Sequence, residues 1–98
     1  NRKVNIDNKK ERGWVLRVLD RVYPDGLDVD TLKRQLIDLR FLTSDVDIRG
    51  NVAYLIDKGL IREETVGNND FKREVVSLTA NGKDLVDGNI EPVVGVDV

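Results

Sequence analysis

The sequence predicts a mainly helical α+β domain, three helices followed by a β-hairpin and a short fourth helix. Three observations predict it. Apolar residues recur at helical spacing in three successive stretches, capping and turn residues stand between those stretches, and the period then changes to two β-rich runs around Gly67-Asn68-Asn69-Asp70.

From Asp7 to Tyr23, Trp14, Val15, Val18, Leu19 and Val22 fall on one helical arc, with Leu16 at its margin. Pro24 forbids continuation, and Tyr23-Pro24-Asp25-Gly26 has the residues of a tight turn. After a short apolar touch at Leu27–Val29, Asp30 is placed to cap a second helix carrying Leu32, Leu36 and Leu39. Ser44 with Asp47 three residues on is a variant of the capping box and opens a third helix. There Ile48, Val52, Leu55 and Ile56 form the inward stripe, Val46 and Ala53 its edge, and Asp47, Gly50, Asn51, Tyr54 and Lys58 the opposite face. Gly59 suits a left-handed cap. Leu60–Val66 and Phe71–Leu78 then read as strands joined by a four-residue polar loop. Thr79 caps a last helix that stops at Gly88, and Asn89–Val98, with four valines broken by proline and glycine, reads as an arm that covers or joins a neighbour.

The 98 residues suit one domain, divided here into a basic amino-terminal segment with the start of the first helix (1–12), a core (13–88) and the arm (89–98). The net charge of -2 and pI near 5.1 are unlike a strongly basic nucleic-acid binder. The charge is uneven, however: residues 1–21 hold seven bases and three acids, and the remainder nine bases and fifteen acids. With no cysteine and no histidine, the chain lacks thiolate zinc sites, disulfides and the usual catalytic triads. An enzyme, a metal or another cofactor is therefore not expected. Asp25, Asp28 and Asp30 miss the calcium-loop spacing and read as a turn and a cap. No apolar run approaches the roughly 20 residues that span a bilayer, and no signal-peptide core follows the basic start, so the expectation is a cytoplasmic protein without a membrane partner.

The order of elements, with a three-to-four-residue turn between the second and third helices, is that of a winged helix-turn-helix. Particular residues resemble that family. Val52-Ala53-Tyr54-Leu55-Ile56-Asp57-Lys58-Gly59-Leu60-Ile61 is similar to the end of a recognition helix running through glycine into an apolar strand. Leu78-Thr79-Ala80-Asn81-Gly82-Lys83 resembles the exit from the wing. The resemblance covers roughly Gly13 to Gly88, and the tail Pro92-Val93-Val94-Gly95-Val96 is similar to those of short winged-helix proteins of Mu-like phages and prophages, often described as transcription regulators.

The resemblance implies a double-stranded DNA partner, a homodimer and a regulator of transcription. It implies DNA contacts from Ser44, Asp47, Arg49, Gly50, Asn51, Tyr54 and Lys58 on the third helix, and backbone contacts from Lys33 and Arg34 on the second and Arg62, Asn68, Asn69, Lys72 and Arg73 on the wing. The residues also support an alternative. Residues 43–58 hold Asp45, Asp47 and Asp57 against Arg49 and Lys58, an acidic balance on the element that would approach phosphates. A winged-helix module that docks a protein partner in a phage or other assembly, without reading DNA sequence, fits that balance.

Overall fold

The computed structural model describes residues 5–98, so Arg2 and Lys3 of the expected basic segment lie outside the described residues. Among the described residues, four helices, α1 (Asn5–Asp20), α2 (Val29–Asp38), α3 (Asp45–Asp57) and α4 (Ala80–Val86), pack with three strands, β1 (Leu27–Asp28), β2 (Ile61–Asn68) and β3 (Phe71–Leu78). The strands form an antiparallel sheet in the order β1-β3-β2. This is the winged helix-turn-helix arrangement: α2 and α3 joined by a short turn, with the β2–β3 hairpin as the wing.

The core draws Val15, Leu16, Val18 and Leu19 from α1, Leu32 and Leu36 from α2, and Ile48, Val52 and Leu55 from α3. Ile61, Val76 and Leu78 close it from the base of the wing. Leu16 is fully buried, not marginal, because α1 is covered on two sides, by the other helices and by β3. Val46 and Ala53, by contrast, are exposed.

Local chemistry fixes the boundaries. Asp28, not Asp30, caps α2: β1 ends at Asp28, whose carboxylate accepts from the Thr31 amide (3.3 Å) and hydroxyl (2.7 Å). Asp30 lies within the first turn, where its charge favours the helix dipole. Ser44 and Asp47 form the capping box, with reciprocal bonds of 3.1 and 3.2 Å. At the other end of α3, the amides of Gly59 and Leu60 bond back to Ile56 and Leu55, with Gly59 at φ +75°. β3 spans Phe71–Leu78 as expected, while β2 reaches two residues further, since Gly67 and Asn68 still pair with Lys72 and Phe71. The Asn68 side-chain oxygen accepts from the amides of Asp70 and Phe71, which closes the hairpin over Asn69 and Asp70 alone. Gly82 explains the residue pattern at the wing exit, because a Cβ there would lie 2.1 Å from the Leu60 carbonyl oxygen.

The end of α2 repeats the capping geometry of α3 with a less suitable residue. Arg40 and Phe41 donate back to Ile37 and Leu36, and Arg40 holds φ +74° where glycine is favoured. A left-handed conformation costs a residue with a Cβ about 1–2 kcal/mol, while glycine loses more chain entropy on folding. Arg40→Gly should therefore stabilise the domain by about 0.5–1 kcal/mol in urea unfolding, and destabilisation would show that the Arg40 side chain contributes more than its backbone costs.

The carboxy-terminal residues are not a free arm. They return to their own chain, where Val96 joins the core and the Asp97 amide donates to the Lys9 carbonyl (3.0 Å). No helix among the described residues is long and apolar enough to cross a membrane.

Candidate nucleic-acid interface

α3 turns a different face outward from the one that periodicity predicts. Ile48, Asn51, Val52 and Leu55 are buried, whereas Val46, Arg49, Gly50, Ala53 and Asp57 are exposed along one side. At about 3.6 residues per turn, this open side is rotated roughly 100° from the expected Asp47-Gly50-Asn51-Tyr54-Lys58 face. The cause is what packs on the Asn51 side. Asn51 is 3% exposed and bridges two α1 residues, accepting from Arg12 Nε (2.9 Å) and donating to the Glu11 carboxylate (2.8 Å). That carboxylate, itself on a residue 5% exposed, also accepts from the Thr43 hydroxyl (3.0 Å). Tyr54 is half-buried beneath Arg12, whose guanidinium lies 3.7 Å from the ring centroid, and its hydroxyl donates to Val94 (3.1 Å).

Asn51 is therefore removed from any base-reading role in this arrangement, and the Tyr54 ring and hydroxyl are engaged by Arg12 and Val94. Ser44 and Asp47 are exposed but engaged in the cap, and Lys58 lies 5.5 Å from the Tyr54 ring. Gly50 is open, with nothing within 4 Å of a Cβ position.

Of the other expected cations, Lys33 is bonded to Asp45 at 2.8 Å, and that bond is the main cause holding the Asp45 carboxyl below its usual range. Arg34 is exposed on α2. Arg62 lies on the outer face of the wing opposite Ser77, and Asn68 and Asn69 are at its tip. Three cations are brought together. Arg49 from α3 and Lys72 and Arg73 from β3 line one open cleft of about 530 Å³, together with Asp28, Asp30 and Glu74.

The strand register reveals a feature that the alternating charges of the wing conceal. Glu63 pairs with Val76 and Thr65 with Glu74, so Glu63 and Glu74 are diagonal neighbours on the face that also carries Ile61 and Leu78. They point to the α3 side and, with Arg49, line the adjoining part of the cleft. Burial, followed by a hydrogen bond and repulsion from Glu74, pushes the Glu63 carboxyl above its usual range against the pull of Arg49. The parity of these residues with Ile61 and Val76 is the signal by which the sequence could have placed them inward.

At the amino end of α3, Leu42 is fully exposed and Val46 is 79% exposed, beside Asp45 and Asp47. Among the described residues, no group of His, Cys, Asp and Glu is arranged to hold a metal ion.

No protein-family model and no curated protein matches this chain. Among solved structures, it is similar to a PadR-like transcription factor from Bacteroides fragilis at 13% identity, with a TM-score of 0.62 over 76% of this chain and 74% of that one. The likeness extends over most of both chains and is one of winged-helix fold.

Proposed function

We propose that this chain is a DNA-binding regulator that meets duplex DNA with the open side of α3 and the wing. The observation that carries the reading is the convergence of Arg49, Lys72 and Arg73 on one cleft between those two elements. Val46, Gly50 and Ala53 leave the helix slim enough to enter a major groove, with Arg49 the one cation at its centre and suited to a guanine edge or a phosphate. The PadR-like neighbour is a transcription factor by its description, and the sequence resemblance to short winged-helix proteins of Mu-like phages points to a phage-type regulator acting as a homodimer.

A mixed-sequence duplex should bind at low salt and weaken linearly in log–log form as salt rises, by about 0.9 per phosphate neutralised. Arg49→Ala should weaken it about tenfold and reduce that slope by about one, as followed by fluorescence anisotropy. Failure to bind any duplex at low salt would reject the reading.

A second reading is supported by the apolar pair Leu42 and Val46 amid carboxylates, which suits a basic protein partner. In that case Leu42→Asp would abolish a stoichiometric complex and Arg49→Ala would not.

A further inference from the structure

The segment that follows α4 has no regular secondary structure, yet it sits in a formed groove between α1 and α3. Among the described residues, three hydrogen bonds hold it, each through its main chain. The Asp97 amide donates to the Lys9 carbonyl (3.0 Å), Arg12 Nη1 donates to the Gly95 carbonyl (3.1 Å), and the Tyr54 hydroxyl donates to the Val94 carbonyl (3.1 Å). Val96 is its buried anchor. Two glycines set the fit. A Cβ on Gly13 would lie 1.9 Å from the Asp97 carbonyl oxygen, and one on Gly95 would lie 2.0 Å from the Tyr54 hydroxyl. The wall of the groove is braced from behind, since Arg12, Asn51, Glu11 and Thr43 bond to one another. Such a groove recognises a main-chain turn, closed by the Val96 amide on the Val93 carbonyl (3.2 Å), with glycine at φ +88° under Tyr54 and an apolar residue after it.

We infer that this groove is a peptide-recognition site for Val93–Asp97, filled here by its own chain and able to take the same stretch from a second copy, so that two chains join by exchanging segments. The groove contributes two donors, Arg12 on α1 and the Tyr54 hydroxyl on α3, and one acceptor, the Lys9 carbonyl on α1, so a partner's segment satisfies the same bonds. Exchange of identical elements is a low-cost route to a dimer. The connector, Gly88–Pro92, is exposed throughout and contains glycine and proline, so it redirects without disturbing the core. The inference stands apart from the DNA reading, because neither the open side of α3 nor the cleft takes part.

The full-length Gly95→Val chain tests it, since the added side chain meets Tyr54 and displaces the chain's own segment. A fluorescein-labelled peptide of residues 89–98 should bind this variant saturably. It should bind the native chain about tenfold more weakly, because the native segment competes at high effective concentration. Gly13→Val, which blocks the groove itself, should bind no peptide. Light scattering should show a concentration-dependent dimer of the native chain that Gly95→Val converts to monomer. If Gly95→Val does not fold, Val96→Asp removes the anchor and serves the same comparison. A folded variant that binds no peptide, or a native chain monomeric at every concentration, would overturn the inference.

Discussion

Asn51→Leu should lower the unfolding free energy by about 3 kcal/mol, a shift of roughly 12–24 °C in the thermal midpoint of a domain this size. The size follows from what Asn51 holds. Its carboxamide is shared between Arg12 and the buried Glu11 carboxylate, and without it that carboxylate keeps only Thr43 among its observed hydrogen-bond donors. A buried charge deprived of a partner is costly, whereas the apolar replacement gains little in a polar pocket. Arg49→Ala, on the open side of α3, is the matched control and should change stability by no more than about 0.5 kcal/mol. Urea unfolding of both variants, with duplex binding measured where each is folded, separates the roles. An Asn51→Leu chain of native stability that has lost DNA binding would restore Asn51 to the reading face.

The second large effect concerns the carboxylates that face α3. Neutralising both in a Glu63→Gln, Glu74→Gln double variant should strengthen duplex binding roughly tenfold or more, because each charge near a phosphate costs about 1 kcal/mol in water and more in a cleft. Acid should mimic the substitution. The Glu63 carboxyl titrates above its ordinary 4.5, so lowering the pH through that raised value neutralises it, and native affinity should rise in that window while the double variant stays flat. The same shift bears on stability. A raised carboxyl pKa opposes folding at higher pH, and this opposition is relieved as pH falls through the folded value. Asp28 and Asp45 act in the opposite sense. Their pKa values are lowered, chiefly by the Thr31 and Lys33 hydrogen bonds, so the stability they contribute is present above 3.8 and lost as pH falls through their folded values. Unchanged affinity in the double variant would mean that phosphates do not approach the cleft.

These two expectations mark where the sequence was legible. Periodicity identified most of the core of α1, α2 and α3, because a helix that buries one stripe must repeat apolar residues every three or four positions. Ser44, Thr79 and Gly59 were readable as caps because their chemistry acts within a few residues of the chain. Asp28 displaced Asp30 as the cap of α2 only because β1 pairs with β3, a contact made nearly fifty residues away. The facing of the wing carboxylates was written in strand parity but hidden by alternating charge, which looks the same on either face.

The sequence by itself determined the order of the elements, the caps of α3 and α4 and the winged-helix class, since these follow from interactions between near neighbours. Only the tertiary structure decided which side of α3 is free. A buried polar network and a returning carboxy-terminal segment close the Asn51–Tyr54 side, and neither has a helical period that could announce it. Polar residues such as Asn51 look outward by hydropathy, and they turn inward only when distant partners, here Glu11 and Arg12, satisfy every bond they lose to water.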